Sequence, residues 1–158
     1  MENLFKKIKG QYLSWSSGCA SFFIGHKDGL WRLSVAVECR IGNLEQTYLA
    51  LLDTGAEWSV IGGDTMQLLE EKFLTQGQPF SMSTRLGKIN GALYRIPICL
   101  LAEQGRGNDL TVESTVFVSD EWEGPVVLGY HGFLERIRFA LDPGVQPGEQ
   151  MFYFGIPD

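Results

Sequence analysis

The sequence predicts an all-β domain carrying one or two short helices. Three observations predict it. Leu33-Ser34-Val35-Ala36-Val37-Glu38-Cys39-Arg40 alternates apolar and polar residues, the period of a half-buried strand. Short apolar runs recur between turn-forming stretches, at Gly42-Asn43, Gly87-Lys88-Ile89-Asn90-Gly91 and Gly105 to Asp109. Beyond the first ten residues, helical spacing is confined to two short stretches, one after Gly62-Gly63 and one after Gly129.

Taken in order, residues 1 to 10 can form a short amphipathic turn with Leu4, Phe5 and Ile8 on one side and lysines on the other. Ser21 to Ile24 is a short apolar strand, followed by a turn through Gly25-His26-Lys27-Asp28-Gly29. Leu33, Val35, Val37 and Cys39 face inward from the next strand. Gly42-Asn43 turns the chain, and Glu45 to Leu52 returns as its partner. After Val60-Ile61, Asp64 can cap a helix with Gln67 at the reciprocal position, and Met66, Leu69 and Phe73 share its apolar face. Phe80 to Leu86 and Ala92 to Leu101 are strands of a projecting hairpin, with Ile89 at the tip. Leu110 to Ser119 is a strand. Val126 to Leu128 is a wholly apolar strand leading into a short helix that buries Phe133, Leu134 and Ile137. Phe139 to Leu141 and Met151 to Phe154 flank a loop rich in Pro and Gly and form a hairpin of edge strands. An aromatic edge strand needs a cover, which a partner subunit would supply. These elements divide the chain into an N-terminal extension, residues 1–28, packed on or preceding a barrel domain, residues 29–158.

One stretch carries chemistry. In Tyr48-Leu49-Ala50-Leu51-Leu52-Asp53-Thr54-Gly55-Ala56 an apolar strand ends on an ionisable acid and a tight turn. An acid there is costly to bury unless it is paired or used. Gly55 supplies backbone freedom for a sharp turn, and the Thr54 hydroxyl can bond to a symmetric copy of the loop. A bare Asp-Thr-Gly is also a common polar turn. The apolar flanks on both sides and the matching element downstream favour an acid loop.

Composition narrows the function classes. At 158 residues the chain is long enough for a single core without disulfides or metal. Hydrophobic residues at 44% and charged residues at 20% place it among globular proteins. No apolar run is long enough to span a bilayer, and the net charge of -6 lacks the basic surface a nucleic acid needs. Neither a membrane nor a nucleic acid is expected as partner. Cys19, Cys39 and Cys99 are far apart and odd in number, which fits reduced core residues. With His26 and His131 as the only histidines, no metal site and no cofactor is expected. The N-terminus has basic residues but no apolar segment behind them, so a cytoplasmic chain is expected.

Leu51-Leu52-Asp53-Thr54-Gly55-Ala56, followed about seventy residues later by Val126-Val127-Leu128-Gly129, resembles the retropepsin-like aspartic proteases of the cellular and bacterial single-domain type. The resemblance spans roughly residues 30 to 155. It implies a closed retropepsin-like barrel and a homodimer, held partly by terminal strands, in which each chain supplies one acid loop. The implied activity is hydrolysis of peptide bonds, with Asp53, Thr54 and Gly55 as the catalytic loop. The implied substrate-binding residues are Ala56, a flap at Gly87, Lys88, Ile89, Asn90 and Gly91, and Val127 and Leu128. Two carboxylates about 3 Å apart share one proton, so one Asp53 would act as base toward water and the other as acid. The sequence departs from the family in having Tyr130 where many members carry an Arg that pairs with the acid two residues after the Gly, here Glu57. Glu57 then turns to Arg136, Arg138 or solvent. That change leaves a second reading open, a catalytically silent module of the same fold that binds a peptide or dimerises.

Overall fold

The computed structural model describes residues 15–27 and 30–157. The amphipathic turn expected over residues 1 to 10, residues 28–29 and the facing of the Leu33 side chain lie outside the described residues, and residues 25–27 of the turn expected from Gly25 to Gly29 are strand instead. The elements in order are β1 (Gly18–Ser21), β2 (Phe23–Lys27), β3 (Leu30–Ile41), β4 (Tyr48–Leu52), β5 (Ser59–Gly62), α1 (Gly63–Leu68), β6 (Gln78–Thr84), β7 (Gly87–Leu100), β8 (Leu110–Ser119), β9 (Val127–Leu128), β10 (Arg138–Asp142) and β11 (Met151–Gly155). Single 3₁₀ turns occupy Glu71–Phe73 and Leu134–Arg136.

Eight strands form one sheet in the order β2-β3-β4-β9-β5-β8-β7-β6, and β3 also pairs with β7. That additional pairing joins Cys39 to Leu100 and Ile41 to Ile98. The pairings thus run from β3 through β4, β9, β5, β8 and β7 back to β3. Inside lie the alternating apolar residues the sequence marks: Val37, Cys39 and Ile41 from β3, Ile96, Ile98 and Leu100 from β7, and Val116 and Val118 from β8. Their alternation is why they share a face. A second apolar cluster gathers Val60, Met82, Phe117 and Val127 with the half-buried Trp58, Phe80 and Trp122. It lies where β6 and β7 leave the body of the sheet.

A separate three-stranded sheet has the order β1-β11-β10. The aromatic C-terminal strand is therefore not an edge strand, as the sequence pattern suggested. Residues Gly18 to Ser21 pair with Phe154 to Met151 on one side, and Arg138 to Asp142 pair with Gly155 to Met151 on the other. All five residues of β11 are buried. Phe152 and Phe154 face the main core, while Met151 and Tyr153 face Cys19 and Trp15. A strand apolar on both faces here reflects cover by residues 15–21 of the same chain. Residues 15–27 are accordingly woven into the two sheets, β1 against β11 and β2 against β3.

Three local expectations change. The helix after Gly62 is only α1, capped at Gly62 without a side-chain bond, so Asp64 lies in its first turn and does not cap it. It ends at Leu69, whose backbone is extended, and the chain re-forms a 3₁₀ turn at Glu71. Leu69 is buried all the same, with Met66 and Phe73 packed beside it. The helix after Gly129 is likewise reduced to a 3₁₀ turn, although Phe133, Leu134 and Ile137 are buried as the spacing requires. Thirdly, the turn of the projecting hairpin is not at Gly87 to Gly91. Thr84 pairs with Gly87, which leaves Arg85 and Leu86 as the two turn residues. Gly87 has φ +118°, a value that β-strand residues with a side chain avoid.

Candidate active site

Asp53 sits one residue past the end of β4, and its position is set by main-chain bonds on every side. Its N–H donates to Leu128 O at 3.0 Å, continuing the parallel pairing of Leu51 with Val127 and Leu52 with Leu128. Its carbonyl accepts from Ala56 N at 3.2 Å, which closes the turn. Its carboxylate oxygen Oδ1 accepts from Gly55 N at 2.9 Å. A side chain that bonds the backbone two residues on fixes both itself and the loop. Asp53 is half-buried, while Thr54 and Gly55 are exposed, so the loop presents its tip outward.

Gly55 is not needed for a positive φ, contrary to the sequence expectation, since it is not among the glycines in that region. Space is what it supplies. A Cβ at Gly55 would stand 3.2 Å from Asp53 Oδ1, pressing on the carboxylate the loop holds.

The downstream element is brought against this loop. Tyr130 N donates to Ala56 O at 2.9 Å and His131 N to Glu57 O at 2.8 Å, and Gly129 N donates to the hydroxyl of the buried Ser59 at 3.0 Å. This stitching fits an approach only glycine permits. A Cβ at Gly129 would meet the carbonyl carbon and oxygen of Trp58 at 2.3 Å. The Trp58 ring stands 5.5 Å from that of His131 and 6.1 Å, edge-on, from that of Phe80 on β6. One aromatic side chain thus links the acid loop, the loop after β9 and the projecting hairpin.

A groove of about 610 Å³ runs between the acid loop and the hairpin tip. Asp53, Gly55, Ala56 and Val127 line it from the expected set. Leu128 does not, because it is fully buried in the core behind. On the hairpin the lining residues are Met82, Ser83, Thr84, Arg85 and Leu86, and none of Gly87, Lys88, Ile89, Asn90 or Gly91 borders the groove. Ile89 is half-buried in the cluster with Phe117 and Met82, and fully exposed Leu86 takes the place assigned to it at the tip. Leu51, Glu57, Val60, Trp122 and Pro125 complete the lining, and the sequence pattern marked none of them as site residues. For Trp122 and Pro125 the signal was present only as a tryptophan and a proline placed just before the apolar strand.

The Glu57 carboxylate is exposed and has no ion-pair partner among the described residues. Arg136, one of its expected partners, instead donates to the carbonyl of Glu113. Tyr130 is about half exposed, with its ring 5.5 Å from His131. Glu135 secures this corner. The Gly132 N–H it accepts, at 2.6 Å, draws its carboxyl below the usual carboxylate range against the opposing effect of burial, with His131 and Arg136 adding to the lowering. Among the described residues no group of three or more His, Cys, Asp or Glu side chains could hold a metal ion, and no helix is long and apolar enough to cross a membrane.

No family model and no curated protein matches the chain. Among solved structures, a retropepsin-like aspartic protease from Rickettsia conorii is similar over 90% of this chain and 95% of its own, with a TM-score of 0.48 and 17% sequence identity.

Proposed function

We propose that this chain is one half of an aspartic endopeptidase, active as a homodimer in which two Asp53 carboxylates share a proton and activate water. The observation that carries the reading is the seating of Asp53. It is a half-buried acid fixed by its own loop, at the floor of a mainly apolar groove roofed by a two-stranded hairpin. Such a groove suits an extended peptide, whose side chains alternate between its walls.

In this reading, the ionised member of the pair takes a proton from water, and the water oxygen attacks the peptide carbonyl carbon. The protonated member gives its proton to the carbonyl oxygen as the carbon becomes tetrahedral. The carboxyl that took the water proton then passes it to the amide nitrogen as the C–N bond breaks, and a hydroxyl of the intermediate returns its proton to the other carboxylate, which restores the singly protonated pair. Gly55 N–H holds the orientation of each carboxylate, and Thr54 faces outward where a second loop would meet it. The hairpin residues Met82 to Leu86 cover the substrate. No metal or cofactor enters the scheme, and a cytoplasmic setting accompanies it.

One observation favours the second reading, a peptide-binding module that does not cut. Glu57 lacks the arginine partner that the family resemblance leads one to expect, so the acid loop has one fewer restraint. Cleavage of an unbiased peptide mixture between acid and neutral pH, by wild type and Asp53→Asn at several concentrations, separates the two. A protease should lose at least about 10²-fold in rate in the variant, since each half of acid-base catalysis contributes roughly 10²–10⁴-fold. Its specific activity should rise with concentration as the dimer forms. No cleavage by wild type at concentrations where it is dimeric would remove the protease and leave the binding module.

A further inference from the structure

The roof of the groove is anchored by groups outside the groove. Strand β8 runs beside β7 from Leu110 to Ser119, and the last paired residues are Val118 with Ala92. Beyond Ala92, β7 keeps only β6 as a neighbour, so residues 80–91 form a two-stranded ribbon. A bare ribbon of that kind is marginally stable in water. Here its open side is met by side chains where the backbone of β8 has run out.

Asn90 is the residue they meet. Its N–H donates to Glu121 Oε2 at 2.8 Å, and its carbonyl accepts from Ser119 Oγ at 2.6 Å. A next residue of β8 would have offered the same acceptor and the same donor from its main chain. Glu121 and Ser119 therefore extend the ladder by one pair with a carboxylate and a hydroxyl. The two are themselves joined, because Glu121 N donates to Ser119 Oγ at 3.1 Å, and Ser119 is buried. On the other side Ser81 Oγ donates to Asn90 Oδ1 at 3.0 Å, so the side chain of Asn90 ties β6 to the same point. Next to it β7 is pressed against β8. A Cβ at Gly91 would lie 2.2 Å from Val118 O and 2.9 Å from the Phe117 ring. The ribbon thus leaves the sheet at a fixed point, Asn90-Gly91, and the clamp acts at that point.

The segment that supplies the clamp also builds the groove and leads to the acid. After Glu121 come Trp122, whose indole N–H donates to Pro125 O at 2.8 Å, and Pro125, both in the groove wall. Two residues later β9 begins, and its Leu128 carbonyl holds Asp53 N. Glu121 itself does not border the groove.

We propose that Glu121, acting through Asn90 with Ser119, is the positioning residue that sets how far the β6–β7 hairpin opens over the Asp53 groove. The kinetic consequence rests on the protease reading, whereas the clamp itself does not. Loss of Glu121 frees the Asn90 N–H and lets the ribbon swing, so an extended peptide is covered less of the time. Binding weakens while the chemistry of the covered complex is kept.

The test compares wild type, Glu121→Ala and Glu121→Gln, because the glutamine amide keeps an acceptor oxygen at the same reach. Amide hydrogen exchange is read residue by residue, with peptide cleavage measured in parallel. In Glu121→Ala, exchange at residues 86 to 90 should accelerate about three- to tenfold, as expected for losing one hydrogen bond at a partly solvated carboxylate. Amides of β4 and β9 should not change. Glu121→Gln should stay within about twofold of wild type, and KM should rise in the alanine variant with kcat held within about twofold. Unchanged exchange at residues 86 to 90 in Glu121→Ala overturns the clamp. Equal acceleration in the glutamine variant, or acceleration spread through β4 and β9, overturns it too. If wild type cleaves no peptide, the kinetic consequence falls with the protease reading, and exchange alone decides whether the clamp exists.

Discussion

Replacing Gly129 by alanine should destabilise the packing of the acid loop against β9. The reason is the 2.3 Å that would separate the new Cβ from the carbonyl carbon and oxygen of Trp58, with Ser59 N at 2.8 Å. These are backbone atoms and cannot rotate away. Relief requires the strand from Trp58 to move off β9, which stretches the bonds from Gly129 N to Ser59 Oγ, Tyr130 N to Ala56 O and His131 N to Glu57 O. Overpacking of this kind costs about 1–3 kcal/mol, and each of the three weakened hydrogen bonds about 0.5–1.5 kcal/mol, so about 2.5–7.5 kcal/mol in total is expected. For a domain of this length that is a fall in Tm of roughly 5–30 °C. Gly148→Ala is the control. Gly148 has φ +91° and nothing within 4 Å of where its Cβ would stand, so the substitution carries only the left-handed strain of about 1–2 kcal/mol. Thermal and urea unfolding of both variants gives the comparison. If Gly129→Ala loses no more stability than Gly148→Ala, close approach at Gly129 is not what fixes the acid loop against β9.

Two further predictions concern pH. Burial, and after it the nearby Cys99, pushes the Cys39 thiol up to about 12. An unfolded thiol titrates near 8.5, so the stability linked to Cys39 is fully present below that value and is lost as pH rises toward 12; urea midpoints measured from pH 8 to 11 should fall less steeply in Cys39→Ala than in wild type. Glu103 is drawn the other way. Burial raises its pKa, but hydrogen bonding from the Ser21 side chain and from Ser21 N at 2.7 Å, with the pairing to Arg106 at 3.1 Å, outweighs it, and the net shift is downward. Its contribution is therefore present above the ordinary carboxylate range and lost as pH falls through the lowered value, so Glu103→Gln and wild type should differ in stability at pH 6 and converge in acid.

What the sequence made legible follows the reach of each signal. Period-two alternation identified β3 because its buried residues, Val37, Cys39 and Ile41, come from one face of the strand. The acid loop was legible for the same reason, as an apolar strand has no local cause to end on Asp53. Tertiary competition decided what was missed. Met66, Leu69 and Phe73 have helical spacing, yet Leu69 adopts an extended backbone and burial is achieved without a continuous helix. The hairpin turn was misplaced because glycines at 87 and 91 suggested a loop between them. Gly87 serves the turn through its positive φ, and Gly91 serves close packing on Val118 in mid-strand. Glycine marks both needs with one letter, and only the pairing register tells them apart. Trp122 and Glu121 were invisible because their roles depend on where β8 stops.

The cover of β11 bears most directly on how two acid loops could meet. Terminal strands exchanged between chains would need an edge of β11, and both edges are already paired, to β1 and to β10. The outer side of the β1 region is also taken, by main-chain bonds from Cys19 N to Arg106 O, Glu103 N to Cys19 O and Asn108 N to Ser17 O. Gly18 and Gly107 come close enough there that a Cβ on Gly107 would stand 2.3 Å from Ser17 O. Displacing β1 would therefore break two sets of main-chain bonds and expose the faces of Met151 and Tyr153 at once. A two-fold axis that brings two Asp53 side chains together must instead pass through surfaces the folded chain leaves open. The acid loop is one of them, since Thr54 and Gly55 are exposed at its tip. In the proposed enzyme, sharing β11 between chains would require β1 or β10 to be displaced first, so side chains around the exposed acid loop are the expected contacts between the two copies.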